Sequence, residues 1–321
     1  MSLAEFALIE RIRARTQGRD DIVLGIGDDA ALLQPRAGEH LVVTADTLNS
    51  GVHFPQETSA FDIGWKTLAV NLSDLAAMGA RPAWCTLALS LPEPTHDWVD
   101  AFADGFFSLA DRHGMALVGG DTTRGPLSLS VTAMGQVMPG QALRRDGARI
   151  GDDVWVSGTL GDAAGALRLW QQKALDVNRA TLLADHEALR LRLVQPTPRV
   201  ALGLRLRAFA HAAADVSDGL LADLGHIARR SGVAAELQGD LIPQSTALRQ
   251  LLGSDGARDC ALHGGDDYEL CFTADASQRG ALQDLAEALD VPLTRIGAMV
   301  AGQGVRVDGE SLHGGYEHFA A

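Results

Sequence analysis

The chain has 321 residues, 46% hydrophobic and 21% charged, which is long enough for two domains with their own cores and too apolar for a disordered polymer. A formal net charge of −14 argues against a nucleic-acid or membrane-surface partner, since either needs a basic patch, and makes a phosphate-handling protein of this kind dependent on metal ions. Three cysteines with no Cys-x-x-Cys pair, no apolar run near the roughly 20 residues of a membrane span, and charged residues directly after the start predict buried thiols, no signal peptide and a reducing cytoplasm.

Residues 3–15 carry helical spacing with Phe6, Ile9 and Ile12 inward, closed by Gly18. In the next stretch Gly25-x-Gly27-x-x-Ala30 formally matches a dinucleotide fingerprint, with Asp46 near the place of the ribose-binding acid. However, Asp28 and Asp29 occupy the positions that should approach an anion, and Pro35 and Gly38 leave no room for a helix. A strand, an acidic turn and a second strand are expected instead. Residues 41–47 form another strand ending in an acid, Asp46, before a loop with His53. Phe61, Trp65, Leu68, Leu72 and Leu75 make a helical stripe, and Asn71 and Asp74 share a face on its edge. Residues 82–91 alternate as a strand, Trp98, Phe102, Phe106 and Leu109 mark a helix closed by Gly114, and 127–137 return as a strand. Between them, 115–124 read as a buried strand running through Gly119 and Gly120 to Asp121.

Residues 140–151, with Arg144, Arg145 and Arg149, read as a linker into a second domain. A strand over 153–157 precedes a helix that opens at Gly158–Asp162 and runs through Leu169; its first amides offer a place for an anion. Residues 182–193 and 200–210 are expected to be helical, separated by Pro196 and Pro198. Asp215 then ends a short apolar strand, Ser217 and Asp218 fall in a turn, and Leu220, Leu221, Leu224 and Ile227 begin a helix closed by Gly232. Acids in such a turn are either helix caps or ligands for a hard cation. A strand at 234–237 and a short helix at 247–252 follow, then Gly264-Gly265-Asp266-Asp267-Tyr268-Glu269, again glycines before acids, leading into a strand at 268–273. The remainder reads as a helix (278–289), a strand (293–300), a hairpin at Asp308-Gly309 and a tail holding His313 and Tyr316.

Asp28, Asp29, Asp46, Asp74, Asp121, Asp215 and Asp218 all fall at strand ends, turns or a helix edge, more acids than helix capping accounts for. If four of them converge, their repulsion demands cations, and all-oxygen donors select Mg2+, Ca2+ or Mn2+ over zinc. Magnesium completed by substrate phosphates points to phosphoryl transfer. No Gly-x-x-x-x-Gly-Lys-Ser/Thr loop or protein-kinase motif set is present, so an ATP site would belong to another fold.

Five motifs carry a resemblance that spans nearly the whole chain in order: Gly27-Asp28-Asp29-Ala30-Ala31-Leu32, Asn71-Leu72-Ser73-Asp74-Leu75, Gly119-Gly120-Asp121-Thr122-Thr123, Asp215-Val216-Ser217-Asp218-Gly219-Leu220 and Gly265-Asp266-Asp267-Tyr268-Glu269-Leu270. In these the chain resembles the thiamine-monophosphate kinases, members of the ATP-binding superfamily of aminoimidazole ribonucleotide synthetase. The resemblance implies a two-domain α/β (α+β) fold, with an N-terminal ATP- and Mg-binding α/β domain over 1–139 and a C-terminal α/β domain over 140–321. It further implies a cytoplasmic homodimer in which the N-terminal sheets of two subunits pair. The implied activity is direct in-line transfer of the γ-phosphoryl of ATP to thiamine monophosphate, giving thiamine diphosphate in the last step of its biosynthesis. Carried over by position, Asp28, Asp46, Asp74, Asp121, Asp215 and Asp218 would hold several Mg2+ ions, with Thr44 and the carbonyl of Ala45 on the metal shell. Gly120, Asp121, Arg145 and Ser217 would meet ATP, and His53, Asp266 and Tyr316 the thiamine phosphate, Tyr316 by stacking. Many relatives have Glu where this chain has Asp266, and the shorter acid would then reach substrate through water.

No catalytic base is expected, because the attacking phosphate oxygen is already anionic and transfer can rest on alignment and charge neutralisation. The alternatives are a related synthetase of the selenophosphate or aminoimidazole ribonucleotide type, or a non-catalytic nucleotide-binding regulator. A selenophosphate synthetase would want a reactive cysteine near its start and a hydrogenase maturation factor a C-terminal one; neither is expected here, where the sequence closes on Phe319-Ala320-Ala321.

Overall fold

The computed structural model of the chain describes residues 5–178 and 183–316. The helix starts expected at Leu3 and Leu182, the inward side chain of Phe6 and residues 319–321 lie outside that description. The chain divides into two compact units, residues 1–75 with 80–140, and residues 76–79 with 141–321.

In the first unit, helix α1 (Glu5–Arg13) precedes a small antiparallel hairpin of β1 (Ile22–Leu24) and β2 (Leu32–Leu33), so the Gly25–Ala30 stretch opens no helix. Four longer strands follow: β3 (His40–Asn49), β4 (Arg81–Leu91), β5 (Ala116–Arg124) and β6 (Ser128–Val137), in the spatial order β3-β6-β4-β5. Only the β4–β5 pair is parallel, and its crossover is the helix α3 (His96–His113). Thr95 caps α3 by accepting the Trp98 N–H at 3.3 Å, and Gly114 ends it in the left-handed conformation. Helix α2 (Ala60–Ala77) crosses α3 where each helix carries a glycine. A Cβ on Gly64 would lie 2.1 Å from the Phe102 carbonyl oxygen, and one on Gly105 would lie 1.9 Å from that of Phe61, so the two backbones touch directly.

Strand alternation sorts this sheet into two faces. The register aligns Asp46, Val131, Leu87 and Gly120 in one row, and Thr47, Ser130, Ala88 and Asp121 in the next. Val131 and Leu87 are buried, whereas Ala88, Thr47 and Asp121 are exposed. Asp46 therefore lies on the core side of the sheet with α2, and Asp121 on the open side.

The second unit is built on a seven-stranded sheet of order β13-β12-β9-β11-β7-β10-β8. Its strands are β7 (Asp153–Ser157), β8 (Ala210–Asp215), β9 (Ala234–Leu237), β10 (Leu270–Ala274), β11 (Leu293–Val300), β12 (Gly304–Val307) and β13 (Glu310–Leu312). All pairs are antiparallel except β12 with β9. Its helices are α4 (Asp162–Gln171), α5 (Ala184–Val194), α6 (Val200–Leu206), α7 (Leu220–Ser231), α8 (Thr246–His263) and α9 (Arg279–Leu289). The apolar stripe of α7, Leu220, Leu224 and Ile227, shares one core with Val154, Val156, Ala212, Ala214 and Ile296 of the sheet. Leu169, Leu189, Leu193 and Leu248 form a second core under α4, α5 and α8.

Three sequence expectations need correction. The helix expected over 200–210 stops at Leu206, and Ala210 already belongs to β8. The helix expected over 247–252 does not end at Gly253. That glycine takes φ +72°, and the chain resumes as helix to His263 because Ala257, Cys260 and Ala261 recur at helical spacing on a buried face. The strand expected from Tyr268 begins at Leu270 instead, because Tyr268 has φ +51°.

Candidate functional site

On the first unit, β3 turns Thr44 and Asp46 toward α2, and α2 answers with Asn71 and Asp74. The Thr44 hydroxyl donates to the Asp74 carboxylate, and the Asp46 N–H donates to Asn71 Oδ1 at 3.2 Å. Asn71 is fully buried and its amide nitrogen donates to the Thr67 carbonyl at 3.1 Å, which leaves its oxygen for β3. The helix face shared by Asn71 and Asp74 thus meets the strand face shared by Thr44 and Asp46. Ala45 points to the opposite face, opposite Thr132, so its carbonyl and not its side chain is the group available there. Asp28 sits in the exposed turn between β1 and β2, where its carboxylate accepts the Asp29 N–H at 2.9 Å.

His53 lies in the turn after β3. Its Nδ1 accepts the Asn49 N–H at 3.0 Å, so the neutral ring carries its hydrogen on Nε2 and presents a donor. The His53 carbonyl in turn accepts from Lys66 Nζ at 3.0 Å, and that lysine is only 1% exposed. Asp121 and Gly120 stand on β5, at the far edge of the sheet from β3. Three strand spacings separate Asp46 from Asp121, about 14 Å, in addition to their opposite faces. Within one copy of the first unit these two aspartates do not meet. Gly120 has φ +154°, and a Cβ there would lie 1.9 Å from the Leu87 carbonyl oxygen, so β5 can lie beside β4 only with glycine at this position.

On the second unit the expected residues do gather. Asp215 ends β8, paired with Leu270, and is buried. The loop beyond it is bound on both sides by backbone: the Asp266 N–H donates to the Ser217 carbonyl at 2.8 Å, and the Tyr316 N–H donates to the Asp218 carbonyl at 3.0 Å. Ser217, Asp218, Asp266 and Tyr316 are thereby brought to one place at the start of α7. The tail is pressed close there, since a Cβ on Gly315 would lie 2.4 Å from that of Ala222. Arg145 lies beside the same helix, its carbonyl accepting from Ser231 Oγ at 3.0 Å and its charge acting on Asp223 and His226.

Among the described residues, no three His, Cys, Asp or Glu side chains lie together as an ion-binding cluster. What each unit offers is a smaller set of hard oxygen donors: Thr44, Asp46 and Asp74 on one, Asp215 and Asp218 on the other. That donor set fits magnesium, which typically takes one or two protein carboxylates and completes its shell with water and substrate phosphates.

The sequence matches the family model described as AIR synthase related protein, N-terminal domain, over residues 27–137, and its C-terminal counterpart over 149–310. The thiamine-monophosphate kinase of Salmonella typhimurium is 45% identical, over 100% of this chain and 99% of that protein. The crystal structure of thiamine-monophosphate kinase from Stenotrophomonas maltophilia is 79% identical, with a TM-score of 0.92 over 97% of this chain and 99% of that one. The chain belongs to the thiamine-monophosphate kinase family. A solved complex of AaThiL with AMPPCP and TMP is 33% identical, with a TM-score of 0.80 over 99% of both chains. The hydrogenase maturation protein HypE, 22% identical at a TM-score of 0.74, shares the fold alone.

Two further residues shape the site without a sequence signal of their own role. Asp223, in the first turn of α7, accepts the N–H groups of both Ser217 and Asp218 at 3.1 Å and so orients the whole loop. Burial, and then the neighbouring Asp218, push its carboxyl up to about 7. The sequence offers only an acid five residues after Asp218 in a motif already rich in acids. Glu269 is fully buried, and accepts from Arg199 Nε at 2.6 Å, Arg192 Nη2 at 2.9 Å and Ser157 Oγ at 2.5 Å. Burial alone would raise its carboxyl, but the two arginines outweigh it and hold it below the usual glutamate range.

Proposed function

We propose that the chain catalyses the ATP-dependent phosphorylation of thiamine monophosphate to thiamine diphosphate. The observation that carries this reading is the full-length similarity to thiamine-monophosphate kinases, together with the gathering of Asp215, Ser217, Asp218, Asp266 and Tyr316 at one helix start. The AaThiL complex with AMPPCP and TMP supports the pairing of a nucleoside triphosphate with a phosphorylated acceptor.

In this reading the aspartates of each unit hold Mg2+, with Thr44 and the Ala45 carbonyl beside Asp46 and Asp74. When bound, the metal supplies neutralisation of charge on the β and γ phosphates. Arg145, Ser217 and the backbone at Gly120 hold the nucleotide. His53 donates its Nε2 hydrogen to the acceptor phosphate, Asp266 faces the thiamine moiety, and Tyr316 stacks on one of its rings. The attacking oxygen is already anionic, so these groups need only align it with the γ phosphorus and exclude water.

The protein acts as a homodimer in the cytoplasm. No described helix is long and apolar enough to cross a membrane. Support for the dimer comes from the open face of the first unit, where β3 exposes Leu41 and Val43, and where Asp121 faces away from Asp46. A second copy laid on this face would cover the apolar side chains.

Purified protein supplied with ATP, Mg2+ and thiamine monophosphate should yield thiamine diphosphate and ADP in equal amounts. ADP without thiamine diphosphate, or no turnover with this acceptor, would overturn the assignment.

A further inference from the structure

The turn that carries Asp266 is built in a way its sequence does not require. Asp266 has φ +68° and Tyr268 φ +51°, two non-glycine residues in the left-handed region with one residue between them. Aspartate tolerates that region, but a bulky aromatic residue there is an outlier that persists only where its surroundings hold it. They do so at every position. The Asp266 N–H donates to the Ser217 carbonyl at 2.8 Å, the Tyr268 N–H to the Val216 carbonyl at 2.9 Å, and the Val216 N–H returns to the Glu269 carbonyl at 2.8 Å. Between them, fully buried Asp267 accepts the Gly161 N–H at 2.7 Å, and Glu269 is clamped by Arg192, Arg199 and Ser157. Gly265 leaves no slack, since a Cβ there would lie 2.3 Å from the Ser217 carbonyl oxygen.

One side-chain contact follows from this unusual backbone. With both residues left-handed, the Tyr268 ring folds inward to 7% exposure and its hydroxyl donates to Asp266 Oδ1 at 2.9 Å. Buried packing could be met by phenylalanine in the same place. The hydroxyl adds a fixed direction for the Asp266 carboxylate. Because the turn is tied to Ser217, the carboxylate is also fixed relative to the Ser217–Asp218 loop.

We propose that Tyr268 is a positioning residue for substrate recognition: its hydroxyl fixes the rotamer of Asp266, so that the carboxylate is pre-set for the thiamine moiety instead of being ordered on binding. This rests on the reading that Asp266 faces substrate. Pre-setting removes an ordering cost from binding, so its loss should appear in acceptor affinity and not in the transfer step. It also accounts for the use of aspartate here, since a carboxylate on a short stem, held from one side by a phenol, has fewer rotamers to lose than a longer acid.

The test is steady-state kinetics on Tyr268→Phe, Asp266→Ala and the double variant, with melting temperatures measured in parallel. Tyr268→Phe should raise the KM for thiamine monophosphate about tenfold, the loss expected for one hydrogen bond to a charged group, while kcat and the KM for ATP stay within about twofold. In the Asp266→Ala background the same change should add nothing further to KM. An unchanged acceptor KM in Tyr268→Phe, alongside a raised one in Asp266→Ala, overturns the positioning role and leaves the substrate contact standing. If Asp266→Ala itself leaves that KM unchanged, the substrate contact fails. A fall in kcat for both substrates together with a lowered melting temperature would make Tyr268 structural and overturn the inference.

Discussion

The opposite placement of Asp46 and Asp121 makes the proposed dimer, and a site shared between its subunits, testable by subunit mixing. Two carboxylates that ligate one magnesium must bring oxygens to about 2.1 Å from it. Asp46 and Asp121 of one copy stand in adjacent rows that face opposite sides, about 14 Å apart across three strand spacings. Side-chain rotation spans neither the distance nor the sheet. If the two aspartates serve one site, each site must take Asp46 from one subunit and Asp121 from the other. Asp46→Asn and Asp121→Asn homodimers should each fall below about 1% of wild-type turnover, the usual scale for losing a ligand from a metal that stabilises transferred phosphate. A heterodimer carrying one variant in each subunit behaves differently. One of its sites has both substitutions and the other has neither, so it should recover about half of the wild-type turnover per dimer. The assay is thiamine diphosphate formation by tandem-affinity-purified heterodimer from co-expressed, differently tagged chains. Heterodimer activity no higher than that of either homodimer would refute the shared site and require the two aspartates to act within one subunit.

Four further outcomes concern stability. Glu269→Ala strands Arg192 and Arg199, each only 18% exposed, without their common partner, and should cost about 3–5 kcal/mol of stability by urea denaturation; a loss under about 1 kcal/mol would contradict the network. Gly105→Ala places a Cβ 1.9 Å from the Phe61 carbonyl oxygen and should destabilise by about 1–3 kcal/mol despite alanine's helix preference. Gly280→Ala in α9, where nothing lies within 4 Å, should be neutral or stabilise by up to about 1 kcal/mol in the same assay. The arginine partners of Glu269 and Asp153 depress both carboxyls in the folded state, so their stabilisation is present above the unfolded value near 4 and is lost as pH falls through the lower folded one. The melting temperature should therefore drop in acid, and less steeply in Glu269→Gln; identical acid slopes would show that Glu269 is not depressed.

Much of the chemistry is legible because motifs collect acids on strands, in turns and on one helix edge. Of the strand acids only Asp215 ends its strand, while β3 runs three residues past Asp46 to Asn49 and β5 three past Asp121 to Arg124. Alternation could also be read, since Thr44 and Asp46 share one face of a strand and Asn71 and Asp74 one face of a helix. What local sequence does not contain is register. Whether Asp121 stands in the row of Asp46 or in the next depends on how β5, β4, β6 and β3 align, and one residue of slip reverses the answer. Whether four of the aspartates converge therefore depends on pairing, and in the first unit pairing sets Asp121 apart from Asp46.

On the second unit the same limit worked the other way. Asp266 and Tyr316 lie far along the chain from Ser217, and what seats them beside it is main-chain bonding to the Ser217 and Asp218 carbonyls, which any residue but proline could make. Side-chain identity could suggest these residues only by resemblance to a family. The roles of Tyr268 and Asp223 are hidden from sequence for a related reason. An aromatic residue before a strand reads as core and an acid in a first helical turn reads as dipole compensation, and both descriptions hold here. Their added roles arise from one hydroxyl aimed at Asp266 and one carboxylate shared by two amides, which follow from a left-handed turn and a tight loop that composition does not announce. A residue that satisfies a bland local rule can still orient the site, and only its hydrogen-bond partners distinguish the two cases.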